Sequence, residues 1–505
     1  MGKIEQTIIN RFNGGIATDL RAGNSSQFAM TEHFDTHSYP GRLKPYRSHK
    51  ADESQSGAKA GLIRKLVPGS RTSSDTAVLW ALGQSVSSPA IFYHDSDPST
   101  SGWTTPANNV AAGTVLFNWF FFYNRGVYGL QTSGDIFKYN TSAGTMDSAF
   151  GNFGTTLSFA QPVHHPADDN AYFFEGNAVH RLNNNTWFYD VLILPANLSI
   201  VSACAYGNYL AIACKPIGAG HYMTGNTVFL WDRDSSLATL SHKIDFGTGH
   251  LQHIASLDNK LIAVVDRWIN APEDADVAEL VILGATEGTS SAVVLNRVPS
   301  VGTTNTISNL YPNKIVQDNI LYFPYRLTNG VVSAGSSNIR DGIWSVDSQG
   351  RITLEVVEED LASASAAIDS IARVAGFWFI VHSGDGSIQR TDENANYTYT
   401  SIGESLIFDS GDPSVTKKLI GVSVTNVPNP TAGQVVLKFR KDAETAWTTI
   451  FTNTTDDSIS ESAVNYSSGT NLPEYKEIQF RIESTGGAEI TSLKFKSEII
   501  DKDLY

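Results

Sequence analysis

The chain has 505 residues, of which 41% are hydrophobic, 10% aromatic and 17% charged, with a formal net charge of −15. That length suggests about two to four domains, and the apolar content excludes a chain too polar to form a core. The acidic balance argues against a nucleic-acid binder that works by neutralising phosphates, which needs a basic face. A surface past which DNA slides without adhering is still allowed.

The opening "MGKIEQTIINRF" has no apolar run of signal-peptide length. Gln6 stands where an N-myristoylation motif wants Ser or Thr. Residues 1–60 read as an extended docking arm. Gly14-Gly15, Pro40-Gly41 and Pro45 break any regular element. The apolar side chains Phe12, Ile16, Phe28, Met30, Phe34, Tyr39, Leu43 and Tyr46 follow neither a helical nor a strand period. A segment that cannot build its own core lies on another surface, either the body of the same chain or neighbouring copies. "ADESQSGAKAG" (51–61) reads as an exposed link.

Residues 61–400 read as a β-propeller of about seven blades. An apolar strand, a tight polar turn and a second strand recur: "AVLWALGQ" with "PAIFYHD", "GVYGLQTSGDIFKYN", "NAYFFEGNAVHRLN", "NYLAIACK" with "NTVFLWDRD", "NKLIAVVDRW" with "AELVILGATEG", "NILYFPYR" with "DGIWSVDSQG", and "GFWFIVHSGDGSIQRTD". Short strands recurring every 40 to 50 residues or so point to blades that bury their faces by radial stacking. Dense runs such as Leu261-Ile262-Ala263-Val264-Val265 suit strands covered on both faces. Preceding strands end in Gly-Asn, Asp-Asn or Ala-Gly pairs, which suit turn positions of positive φ. The run from Val115 to Tyr123, "VLFNWFFFY", is too short to span a bilayer as a helix, which needs about 20 residues. Cys204 and Cys214 read as buried free thiols on adjacent strands of one hairpin.

Residues 401–505 read as a C-terminal β-sandwich. Val435, Leu437 and Phe439 alternate with Val436, Lys438 and Arg440; Ile478, Phe480 and Ile482 repeat the pattern, as do Leu493 and Phe495 against Lys494 and Lys496. Trp447 is expected as a core or rim anchor.

No catalytic, cofactor-binding or metal-ligating residue is assigned. Walker, Rossmann, HExxH and GxSxG patterns are absent. His164, His165, Asp168 and Asp169 in "HHPADD" have no standard metal spacing and read as a solvated loop. "DRDSS" and "DENAN" lack the full calcium-loop pattern. Glu358, Glu359 and Asp360 read as an acidic face, since glycosidase carboxyls need a set separation and unlike environments. "SGDGSIQ" (383–389) and "SVDSQG" (345–350) resemble the Asp-box turns of sialidase-like propellers, where a side chain caps the turn. A sialidase also needs converging arginines and a Tyr nucleophile, and nothing in the spacing of Arg267, Arg326, Arg340 and Arg373 makes them converge. Asn-x-Ser/Thr sites at Asn24, Asn140 and Asn396 carry little meaning in a chain without a secretion signal.

"FNGGIATDLRAGNSSQFAMTEHFDTHSYPGRLKPYRS" resembles the beginnings of structural proteins of tailed bacteriophages. In these a stretch "NGG...D.R...S..F......FD......L.PYR" precedes a strand-rich body, and the arm, propeller and sandwich agree with tail nozzle and tail-tip proteins. The resemblance implies a virion structural protein of the tail, assembled in the host cytoplasm and acting in tail assembly, host adsorption and genome passage. The implied partners are copies of itself in a symmetric ring, other phage tail proteins, a host surface receptor or glycan, and DNA as passing cargo. No cofactor and no functional residue follow from it. The chain is shorter than the larger nozzle proteins of short-tailed phages, so its place in the tail stays open. An arm exchanged between copies would bury apolar area worth roughly 25 cal/mol per Å² and lock the ring. The alternatives are a receptor- or glycan-binding adhesin module and a sialidase-like glycoside hydrolase.

Overall fold

The computed structural model describes residues 3–17, 19–21, 26–39, 41–51, 61–69, 79–85, 89–94, 103–104, 117–131, 133–140, 145–154, 160–217, 225–234, 240–268, 277–301, 313–325, 342–357, 368–382, 388–392, 394, 397–454, 460–465 and 472–500. These form strands and turns, with no helix among them, and so no helix long and apolar enough to cross a membrane.

Between residues 61 and 391 the strands fall into consecutive antiparallel sheets, numbered here as units. Units 1 to 5 cover 61–104, 117–152, 163–193, 198–248 and 250–301, and each is a four-stranded sheet in chain order. Unit 6 (315–357) has the same four-strand order but continues into a nine-stranded sheet. Unit 7 (368–391) has three strands of its own, and its fourth is His49–Ala51 from the arm.

The dense apolar runs are buried on both faces, as the sequence indicates. Leu261, Ile262, Ala263, Val264 and Val265 are all fully covered. Odd and even positions of that run serve different neighbours. Leu261, Ala263 and Val265 join the core shared with unit 4, and Ile262 and Val264 the core shared with unit 6. Similar shared cores join units 2 and 3, 3 and 4, 6 and 7, and 7 and 1. Units 1 and 2 touch through Trp80 against Tyr139, ring centroids 5.0 Å apart, and Lys65 over the Trp119 ring. This is a propeller-like arrangement, in which a sheet with two apolar faces is stable only between neighbours. The expected turns are present: Asp258-Asn259, Asp318-Asn319 and Ala375-Gly376 all have positive φ, which suits the right-handed twist of a two-residue hairpin.

The sandwich core contains Val435, Leu437, Phe439, Ile478, Phe480, Ile482, Leu493 and Phe495, the inward sets of the alternating strands. Trp447 sits at the rim, with the Arg440 guanidinium 4.5 Å from its ring centre.

Of the two surfaces the sequence allowed for the arm, this chain offers it its own body. The arm's described residues lie on the body of the same chain. Ile4–Ile9 pairs with Ile490–Ile499 as an edge strand of one sandwich sheet. Phe28–Glu32 pairs antiparallel with Ser401–Ser405, and through Glu32 beside Leu354 it meets unit 6 in parallel. Propeller and sandwich thus share one nine-stranded sheet. The scattered apolar residues are explained: Phe12, Phe28, Phe34 and Leu43 complete the sandwich core, and Ile16 enters the core between units 5 and 6. Burying such side chains stabilises by roughly 1.5–3 kcal/mol each. The arm is therefore not a separate unit over 1–60, and the sandwich is not confined to 401–505. Gly14-Gly15 has a steric reason. A Cβ on Gly14 would lie 2.5 Å from the Ser26 carbonyl oxygen. Gly15 has φ 71° and would press on the Ile352 backbone at 2.9 Å. The link at 51–61 lies almost wholly outside the described residues.

Candidate functional site

Two buried polar clusters hold the chemistry-bearing side chains. The first lies where the opening strands of the units meet. In units 1, 2, 4, 5 and 7 that strand carries a bulge, just before Lys65, Trp119, Ser202, His253 and Ser370. A bulge re-aims a side chain. Counting back equally from the hairpin turns of units 3 and 6 reaches Gln161 and Asn313. The recurring task of these residues is to satisfy the backbone of another unit. Ser202 Oγ accepts from Ile254 N at 3.1 Å and Ser370 Oγ from Leu66 N at 3.0 Å. Asn313 donates to Ile371 O at 2.7 Å and accepts from Ile371 N at 3.0 Å. Gln161 clasps both backbone groups of Lys314 in the same way, at 3.0 and 3.3 Å.

Lys314 follows Asn313 and directly precedes the opening strand of unit 6. Its Nζ donates to Ala203 O at 2.7 Å, to Ser202 Oγ at 3.2 Å and to Ile254 O. One side chain thus ties units 4, 5 and 6, while its backbone holds unit 3. Burial pulls its ammonium down to about 8, and three oxygen acceptors match its three donors. Burial also pushes the Cys204 thiol nearby up to about 11 and Cys214 further. Both cysteines are free and buried, as expected, and neither is a reactive thiolate. Units 3 and 6 thus touch directly across this cluster.

The second cluster is the seam between arm, unit 6 and unit 7. Glu355 Oε1 accepts from Ser345 Oγ and, at 3.2 Å, from Thr353 Oγ1. His37 Nε2 from the arm lies 2.9 Å from Ser345 Oγ, 3.1 Å from Thr353 Oγ1 and 3.9 Å from Glu355 Oε1. Burial, and then the charge of Asp35, push the Glu355 carboxyl up to about 7; hydrogen bonds from Ser345, Tyr46 and Thr353 oppose this. Burial pulls the His37 imidazole below its ordinary range against the pull of Asp347 and Asp35. Ser, His and Glu together invite comparison with a hydrolase triad. In a triad the carboxylate holds the ring nitrogen remote from the nucleophile. Here Glu355 binds the serine hydroxyl itself, and the His37 and Glu355 side chains are 5% and 0% exposed. The geometry ties the arm to the body.

In "HHPADD" His164, Pro166, Ala167 and Asp169 are exposed, as a loop between units would have them, while His165 is buried and the segment contacts units 2 and 4. His165 is fully buried, with Nε2 2.9 Å from Tyr209 O and Nδ1 accepting from Ala167 N at 3.3 Å. That pattern fixes a neutral ring donating through Nε2, and burial keeps its pKa low. Asp168 accepts from Tyr172 OH at 2.6 Å and pairs with Arg233 of unit 4 at 2.9 Å. Asp169 meets His164 at 2.8 Å, and its carbonyl accepts from Tyr123 of unit 2 at 2.6 Å. Among the described residues no group of three His, Cys, Asp or Glu side chains is placed to hold a metal ion. "SVDSQG" is a capped turn, with Asp347 Oδ1 accepting from the backbone of Gln349 and Arg351 at 2.9 and 3.0 Å. Arg267 caps Thr248 O at 3.1 Å on unit 5, whereas Arg373 donates to Tyr322 OH at 2.8 Å in the seam. Arg326, Arg340, Glu358, Glu359, Asp360, Asn24 and Asn396 lie outside the described residues, as does most of "SGDGSIQ".

Sequence reasoning missed Gln161, Asn313, Lys314, Glu355 and His37. A signal for the first three was present: a polar residue on one step of the opening strand, visible only when the units are aligned by their turns.

No protein-family model and no curated protein sequence matches the chain. Solved structures similar to it include the computationally designed Ika8 protein, 11% identical, covering 66% of this chain and 96% of that one with a TM-score of 0.38. BamB from Moraxella catarrhalis is 11% identical over 69% and 99% of the two chains, with a TM-score of 0.38. The WD40 repeats of RRP9 are 8% identical over 69% and 98%, with a TM-score of 0.41. What defines the fold is this chain's own strand pairing.

Proposed function

We propose that the chain is a non-enzymatic structural component of a bacteriophage tail, of nozzle or tail-tip type, built as a closed seven-bladed wheel fused to a sandwich. The observation that carries the reading is the arm. Its strands enter a sandwich sheet, the shared nine-stranded sheet and unit 7. Stress on the sandwich then passes through backbone hydrogen bonds into the wheel, which suits a part that must hold shape during adsorption and ejection. Closure is supported by Leu66 and Ala81 of unit 1 packing with Ala372 and Phe379 of unit 7. The polar side chains of both clusters tie sheets together, which suits a mechanical role. The residues of the resembling stretch, among them Gly14, Gly15, Phe28, Phe34 and Leu43, make intramolecular contacts. Ring formation and contact with other tail proteins would therefore use other surfaces.

The test is immunogold labelling of virions with an antibody raised against the whole chain. Label on the tail is expected, and label-free tails in virions whose proteome contains the chain would overturn the proposal. The adhesin reading has one observation in its favour. Phe188 and Tyr189, 40% and 47% exposed on the outer strand of unit 3, offer rings of the kind sugars stack on. Glycan-array binding by the full chain, abolished by Tyr189→Ala, would favour it.

A further inference from the structure

We propose that the N-terminal arm is a proton-sensitive latch: acidification releases residues 28–51 from the seam and from unit 7 while units 2 to 5 stay folded. Three histidines pin this segment. The His33 ring stacks on Tyr399, centroids 4.9 Å apart, while its carbonyl accepts from Tyr46 N at 2.8 Å and Ser401 Oγ at 3.0 Å. His37 enters the Ser345, Thr353 and Glu355 cluster. His49 opens the strand that completes unit 7, its ring 6.5 Å from Tyr399 and its backbone N donating to Tyr399 OH at 3.3 Å. Both ring nitrogens of His49 are buried and meet no hydrogen-bond partner among the described residues.

The surroundings of the His37 and His49 rings suit neutral imidazole. An imidazolium has two N–H donors and needs acceptors for both. Facing His49 are His33 from the arm and His382 from unit 7, both of like sign when charged. Register places Lys50 beside Arg390, and Lys50 pairs with Asp392 at 3.4 Å. Burial, with these two histidines, pulls His49 down to about 3. Facing His37 are Asp35 from the arm and Asp347, Arg351 and Glu355 from unit 6. Tyr46 contacts Glu355 from the arm, and Tyr322 and Arg373 from units 6 and 7 close the same cluster. Glu355 is protonated as pH falls below about 7, so it offers His37 no countercharge in acid.

The signs oppose one another. A histidine whose docked pKa is depressed favours docking above its free value of about 6.5 and loses that contribution as pH falls. Glu355, raised to about 7, favours docking at low pH and loses that contribution as pH rises through 7. Glu355 thus opposes the two histidines between about pH 4.5 and 7, and release in acid rests on His37 and His49 acting together against it. His49 alone shifts the docking equilibrium by roughly 25-fold between pH 7 and pH 5.

The test is hydrogen exchange of the full chain read by mass spectrometry at pH 7, 6 and 5, corrected for the intrinsic pH dependence. Peptides within 28–51 should lose at least about tenfold protection by pH 5, with peptides of 170–183 and 260–265 unchanged. His49→Phe keeps a planar ring against Tyr399 and should retain arm protection in acid. His37→Gln, checked for native circular dichroism, is the second variant and should do the same in part. Equal arm protection at pH 7 and 5, simultaneous loss in arm and blades, or an unchanged acid response in both variants would each overturn the latch.

Discussion

The inner cluster around Lys314 and the seam around Glu355 are both buried, both polar and both shared between sheets, yet burial pulls the Lys314 ammonium down and pushes the Glu355 carboxyl up. At the inner cluster a cation meets carbonyl and hydroxyl oxygens supplied by strands of a repeating frame. At the seam a carboxyl and an imidazole meet on elements more than three hundred residues apart in sequence. A repeat can satisfy a buried donor with the same backbone step of each unit. A seam joining unrelated segments has no such regularity, and it retains groups whose charged forms are poorly solvated.

Three changes sharpen that contrast. Lys314→Ala should have the largest effect, costing about 3 kcal/mol in urea denaturation, because two buried carbonyls lose a charged donor. In the native chain the depressed lysine gives stability that rises between about pH 8 and 10.5, and the variant should lack that rise. Glu355→Gln comes next. Glu355 should lower the native chain's stability as pH rises from about 4.5 to 7, and the variant should lack that loss and keep the histidines' gain over the same range, read from thermal melts across pH. Ser370→Ala is smallest, about 1 kcal/mol, from the unmet Leu66 N–H. A cost above that of Lys314→Ala would show that closure between units 7 and 1 outweighs the centre.

The units were legible because their physics is local. Leu261 to Val265 announce a two-faced strand, and Asp258-Asn259 announces a tight hairpin, within a dozen residues of each other. The alternating sandwich strands were legible for the same reason. The arm was read only as unable to fold alone. Nothing near Phe34 says that Leu43, Leu419 and Phe480 share its core, and no local pattern says that His49 finishes a sheet begun at Ile368. The seam was invisible likewise. Ser345 and Glu355 look like ordinary polar positions of a strand until His37 is placed beside them.

The parallel contact of Glu32 with Leu354 also sets an order of events. The arm leaves the ribosome long before its partners at Leu354, Ser401 and Ile490 are synthesised. At about 5–20 residues per second the arm waits on the order of a minute with its phenylalanines unpaired. During translation it is the segment most open to capture by a chaperone or a sister nascent chain, and interrupted synthesis would leave it stranded.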